Sequence, residues 1–326
     1  MVTASSTAPG TSTPSGPRTR RRRAKNWMLW GLCGLALALL VVPVAWILEG
    51  IVANSVPHWH WNVLTTNQQG NGGGLLNAIE GTLLITGLVV VVAGAVGIAG
   101  GVYLAEYCPP ERGQLLRGAS EVLSGVPSIV LGYVGYIVLV AGILHWGFSL
   151  VAAVIVLSVL VMPYITKTTE VAIRNVPTAY REGGEALGMR AGYVLRRLVL
   201  RPALPGIVTG LIVAAAISVG ETAPLLYTAG YSGNSPTLAL THSPVGYLTY
   251  AVFTFYNQPS NTAHQLANAG ALMLIVMVLA LIVFARVVVS FTQRYSPDRQ
   301  QRLSSRAKRR LEDSRPAQQP EMARPS

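Results

Sequence analysis

Cysteine is scarce in this chain: Cys33 and Cys108 are the only two, and neither sits in a CxxC pair. A disulfide framework and a cysteine metal site are both excluded by that spacing. Charge is short as well, with Asp, Glu, Lys and Arg at 12% of residues against 51% apolar. No ordinary soluble domain has that balance. Lysine occurs three times (Lys25, Lys167 and Lys308), never in a glycine loop, and no GxxxxGK[ST] stretch is present. The chain therefore builds no ATP phosphate cradle of its own. Its 13 acidic residues are scattered, so neither paired carboxylates nor a Ser/His/Asp set can be assembled. His58 and His60 lack a third ligand nearby, which leaves a surface pair and no metal site. The reading is a non-enzyme with no catalytic residues and no cofactor bound by this chain. Uphill transport would draw on an ion gradient or on ATP and Mg held by a separate ATPase.

What the chain has in quantity is long apolar runs. Six reach or approach the roughly 20 residues that cross a bilayer: Trp27–Leu48, Asn77–Leu104, Val122–Leu144, Ser149–Thr166, Pro205–Tyr227 and Leu266–Val288. The first could be a signal-peptide core, but its length and the lack of a small-residue cleavage pattern favour a retained span. The expectation is an all-α, polytopic protein of the cell (inner or plasma) membrane. The net charge of +12 is explained by topology. With both termini cytosolic, every Lys and Arg falls on an inside segment, and the outside segments Glu49–Leu76, His145–Phe148 and Thr228–Gln265 contain none. That is the positive-inside pattern, so the basicity reports orientation and membrane lipid rather than nucleic acid.

The expected divisions follow. Residues 1–26 form a disordered basic tail whose arginine run anchors the first span to anionic headgroups, at about 1 kcal/mol per basic residue. Residues 27–48 are the first span, 49–76 an outside loop, 77–288 the transporting domain with an inside loop at 167–204, and 289–326 a basic tail. The second span carries Gly87, Gly94, Gly97, Gly100 and Gly101, which permit close helix contacts. Gln114–Leu123 reads as a short inside helix. Gly125-Val126-Pro127-Ser128 follows it at the mouth of the third span and predicts a bent or broken helix. Val245–Phe255, rich in Tyr and Phe, reads as an amphipathic interfacial piece.

Two places could carry work. The inside loop contains "VPTAYREGGEALGMRAGYVLRRLVLRPALPG". Thr178–Leu187 reads as a helix closed by Gly188. A second amphipathic segment runs from Tyr193 to Leu200 and is broken by Pro202 and Pro205. Two such helices between spans suggest docking of a soluble partner. The other place is Glu221, roughly 16 residues or about 24 Å from the inner end of the fifth span. An intramembrane acid defaults to a functional reading, with a structural pair to a neighbouring subunit as the bland one. Pro224 is expected to bend the helix beside it.

These motifs carry a resemblance. Glu182-Gly183-Gly184 with Gly188 resembles the EAA loop of binding-protein-dependent ABC importer permeases. "YLAEY", "GVPSIVLG", "TKTTEVAIRNVP", "EALG", "PGIVTG" and "GETAPLL" come in the order seen in phosphate-importer permeases of the PstA type (a CysTW-like branch), over roughly Gly72 to Val288. The resemblance implies a type I ABC importer transmembrane domain of six transmembrane helices. It also implies a PstC-type permease partner, a PstB-type ATPase dimer and a PstS-type phosphate-binding protein. ATPase coupling falls to Arg181, Glu182, Gly183, Gly184, Glu185, Ala186, Leu187 and Gly188. Gating and the path fall to Gly125, Pro127, Ser128, Ser218, Glu221, Thr222 and Pro224.

Three departures from the pattern stand out. Gly183 and Gly184 replace alanines, which weakens a helix by about 1 kcal/mol per residue. Arg201 takes a frequent proline's place. Ile217 stands where relatives carry an arginine thought to meet the anion, leaving hydroxyls such as Ser218 and Thr222, helix N-termini or a partner subunit. Alternatives kept open are a permease for molybdate or sulfate, an ion-coupled secondary carrier, and a subunit that also signals phosphate status.

Overall fold

The structure, a computed structural model, describes residues 17–292. The expectations for the first 16 residues and for 293–326 lie outside the described residues. The chain divides into two units at Pro57, each taken by itself.

The first unit is α1 (Pro17–Ser55), one helix holding the first predicted span. It begins with proline, whose missing N–H costs nothing in a first turn. It therefore takes in Arg18–Lys25, part of the stretch expected to be disordered. Its described side chains from Lys25 to Glu49 are exposed on every face, including Trp27, Trp30 and Trp46. A helix apolar all round suits lipid rather than water.

Among its described residues the second unit holds helices, one hairpin and irregular connections, the longest at 229–247. It opens with α2 (Asn62–Thr65) and the antiparallel pair β1 (Gln68–Gln69) and β2 (Gly72–Gly73), in register Gln68 to Gly73. Then come α3 (Leu76–Val102), extended by a π turn Tyr103–Tyr107, α4 (Pro110–Gly125) and α5 (Ser128–Gly135), which also runs into a π turn, Tyr136–Val140. The long α6 (Leu150–Arg174) leads to α7 (Ala179–Ala186) and α8 (Ala191–Tyr193). A π segment Val194–Val199 joins α8 to α9 (Leu200–Gly220). The unit closes with α10 (Ala223–Thr228), α11 (Leu248–Tyr256) and α12 (Asn261–Thr292).

Five helices of the described chain are long and apolar enough to cross a membrane; counted as one broken span, the bent pair α4–α5 brings the number to six. The third predicted span is that pair. α4 and α5 meet at 93° across Val126-Pro127, so only Ser128–Val140 of the predicted run continues as one apolar helix. The core lies between α3, α6 and α9, around Ile85, Val89, Leu157, Val161, Ile165 and Ala214. Glycines set its closeness: a Cβ on Gly101 would stand 2.5 Å from that of Thr169, and one on Gly97 2.8 Å from that of Ile165. Any side chain there would push α3 off α6.

Two expectations need correction. Pro202 and Pro205 do not end a helix; Ala191–Gly220 runs on through both. For Pro202 the π segment just upstream supplies the reason, because Leu198, whose carbonyl its ring would strike, lies in that widened turn. Val245–Phe255 is not an interfacial piece. Val245, Tyr247, Leu248, Ala251 and Phe255 are fully buried, and α11 packs on α12 and α3.

Candidate functional site

The loop that carries the predicted coupling residues is built outward from α7. Thr178 begins the helix by accepting from the backbone N–H groups of Arg181 and Glu182, at 2.8 and 3.0 Å. Gly188 ends it at φ 67°, a conformation that disfavours any side chain. Met189 N–H donates to the Gly184 carbonyl at 3.0 Å and Gly188 N–H to that of Glu185 at 2.9 Å. Those two bonds make a complete Schellman closure, with Met189 folded onto the loop's own core.

The predicted coupling residues then separate into two groups. Glu182, Gly183, Glu185, Ala186, Leu187 and Gly188 are exposed, with Leu187 at 75%. Arg181 and Gly184 face inward. The Arg181 guanidinium grips the Glu106 carboxylate, with Nη2 at 2.5 Å and Nε at 3.2 and 3.3 Å. It also donates to the Val176 and Ile173 carbonyls, at 3.0 and 3.1 Å. Arg181 therefore fastens the loop to the ends of α3 and α6 and leaves its fork little to offer a partner. A Cβ on Gly184 would meet Val194 Cγ2 at 2.7 Å, whereas one on Gly183 would meet nothing within 4 Å. Only one of the two glycines is required by packing.

A second ion-pair group lies beside the first. Glu170 of α6 is buried, with its side chain 8% exposed, and pairs with Arg117 of α4 at 2.6 Å and Arg174 at 2.9 Å. Arg174 also donates to the Leu104 carbonyl at 3.3 Å. Lys167 and Glu121 approach to 3.8 Å on the exposed side. Glu106, Glu170, Arg117 and Arg174 are the functional candidates that reading the chain in order missed. The signal was there: Glu106 and Glu170 sit inside two quoted motifs, and acids are few enough that each needs a partner.

The other predicted place is a contact between two chain breaks. α9 stops at Gly220, and Glu221 is extended at φ −72°, ψ 132°. Thr222 precedes α10, and Pro224 occupies that helix's first turn. Pro224 starts a new helix and does not bend a continuous one, because its missing N–H is harmless only there. The Ser128 hydroxyl, at the start of α5, lies beside the Glu221 side chain. Close by, a Cβ on Gly132 would lie 2.5 Å from the Cα of Pro224. Thr249 of α11 donates to the Glu221 carbonyl at 2.9 Å. The structure thus brings Ser128, Glu221 and Pro224 together, with Gly125 and Pro127 forming the bend that delivers Ser128.

Ser218 is placed differently. It is buried and its hydroxyl donates back to the Ala214 carbonyl at 2.8 Å. Thr222 is half-buried and caps nothing with its side chain. Ile217 packs against the central core, so the position of the expected arginine points into the protein. Among the described residues Glu221 has no ion-pair partner, and no cluster of three or more His, Cys, Asp or Glu could hold a metal.

A bundle of long apolar helices with a short helix held at its basic end and a broken helix pair inside defines a class, the transmembrane part of an ABC importer. Solved structures share the fold. One is the inward-facing MetNI methionine ABC transporter, with a TM-score of 0.54 at 21% identity, covering 67% of this chain and 95% of that one. Another is a bacterial ABC transporter involved in the import of the acidic polysaccharide alginate, at 0.56 and 13% identity, over 85% and 99%. A family model, binding-protein-dependent transport system inner membrane component, matches residues 97–296. Phosphate transport system permease protein PstA 2 of Mycobacterium tuberculosis is 52% identical over 88% of this chain and 95% of its own. PstA of Haemophilus influenzae is 32% identical over 81% and 94%. The chain belongs to the binding-protein-dependent transport system inner membrane components, and within them to the PstA permeases.

Proposed function

We propose that this chain is the PstA-type permease of an ATP-driven importer of inorganic phosphate. It forms the path with a PstC-type permease, docks a PstB-type ATPase dimer on its basic, cytosolic end, and receives phosphate from a PstS-type binding protein at the other. Both termini are cytosolic in this arrangement. The observation that carries the reading is α7. Its outer face offers Glu182, Glu185 and Leu187, while Arg181 and Gly184 pin its inner face to the bundle. A helix so held moves only with the ends of α3 and α6. Closure of an ATPase dimer on it then shifts the bundle between packed states and moves the Ser128–Glu221 contact, opening or closing the path.

The test is uptake by proteoliposomes holding the complete complex. Phosphate entry should require ATP on the cytosolic face. Uptake driven by a proton gradient without the ATPase would mean a secondary carrier. One observation favours a second substrate reading: the Ile217 side chain, partly buried, packs against the core, and no arginine or lysine of the described chain pairs with Glu221. Competition by molybdate or sulfate at concentrations equal to phosphate would support that reading; indifference to both supports phosphate.

A further inference from the structure

The two ion-pair groups converge on one short piece of chain, the π turn Tyr103–Tyr107 that finishes α3. Arg181 from the docking loop takes its Glu106 carboxylate, and Arg174 from α6 takes its Leu104 carbonyl. π turns recur at functional places because the extra residue loosens the ladder locally. From there the contacts continue without a gap. Arg174 shares Glu170 with Arg117, and Arg117 belongs to α4, whose last residue is Gly125 at the 93° bend. Beyond the bend Ser128 meets Glu221.

We propose that Glu106 and Glu170 are positioning residues for transport, which hand the displacement of α7 through the Tyr103–Tyr107 turn and α4 to the Gly125–Ser128 bend. The proposal rests on the docking reading above. Its basis is the kind of bond used. Apolar contacts would hold α4 and α7 to the bundle equally well and would let them slide. A two-arginine grip on a buried carboxylate fixes register, since each shift leaves a charge desolvated and unpaired. Arg181 commits Nε, Nη1 and Nη2 to the protein, out of the five N–H donors a guanidinium has. Both partners are mostly covered, Arg181 at 24% and Glu106 at 18% exposed. The helix pressed by the ATPase and the helix leading to the bend are thereby parts of one connected body. Physical continuity alone does not demonstrate coupling, so the test reads a response at the far end.

The complete complex is prepared with Cys33→Ala and Cys108→Ala, and Ser124→Cys serves as an exposed thiol one residue before Gly125. The thiol's labelling rate is compared with and without ATP. The parent should show a change of about fivefold or more, the lower end of typical coupling between sites. In Glu106→Gln and in Glu170→Gln the ratio should fall to about 1 on the same scale, with the ATPase still co-purifying and hydrolysing ATP. Arg181→Lys keeps the charge and loses the fork, and should give an intermediate ratio. A parent-like ratio in both glutamine variants overturns the proposal. So does loss of the ATPase alongside the response, which would make the clamps parts of the fold or of docking. So does a parent that does not respond to ATP. A parent that responds to ATP yet takes up no phosphate refutes the substrate reading alone.

Discussion

The two working regions of this permease treat their acids in opposite ways. At the basic end Glu106 and Glu170 are each matched by arginine, at 2.5 and 2.6 Å. At the Glu221 break the carboxyl has a hydroxyl for company and no ion-pair partner among the described residues. The first arrangement is closed and fixes geometry. The second is open, and an acid left unmatched in a membrane protein marks the place where something else arrives or moves.

The sharpest way to break this contrast is at the docking tip. Replacing Glu182→Ala and Gly188→Ala together should abolish co-purification of the ATPase while leaving the chain in the membrane. Gly188→Ala forces a side chain into φ 67°, and Glu182→Ala removes an exposed charge. Normal co-purification after both changes would remove the docking role.

Next in size is Glu221→Gln. It should lower uptake by roughly tenfold, within the usual span of coupling energies, with the permease pair still assembled. Loss of the partner permease together with uptake would assign Glu221 to an interface pair instead.

Smaller and of opposite sign are two changes at neighbouring glycines. Gly184→Val drives a branched side chain onto Val194 and Leu198 and should cost about 1–3 kcal/mol of loop stability. Gly183→Ala points into open space and should gain about 1 kcal/mol through helix propensity. Proteolysis of the loop would rank the two. Equal effects would contradict the placement of α7.

The smallest effect is alkaline and lies at the opposite end. Burial pushes the Tyr231 phenol up to about 12 from 10, beside Asn77 and the stacked ring of Tyr250. The unfolded chain ionises first, so the contribution of Tyr231 is intact below pH 10 and is lost as pH rises towards 12. Tyrosinate absorbance that develops only with unfolding in that window would bear this out; early titration would place the ring in water.

Much of the layout was legible in the chain. Pro127 after Gly125 announces a break because the residue before a proline avoids helix. Gly188 announces the end of α7, and the glycines of α3 announce a close neighbour. Other features were not legible, for definite reasons. The Glu106–Arg181 grip joins residues 75 apart in sequence, and no local pattern encodes it. Pro202 reads as a breaker because π turns have no sequence signature comparable to a proline's. Val245–Phe255 shows an amphipathic pattern that fits a lipid surface as well as a helix whose apolar face is buried by α3 and α12.

The central claim is that an ATPase seats on the outward face of α7, and site-directed crosslinking tests it most directly. With Leu187→Cys in the complete complex, a short thiol crosslinker should join this chain to the ATPase subunit, and ATP should change the yield. A residue that yields no such adduct, or that a membrane-impermeant reagent labels from outside the cell, would contradict the account.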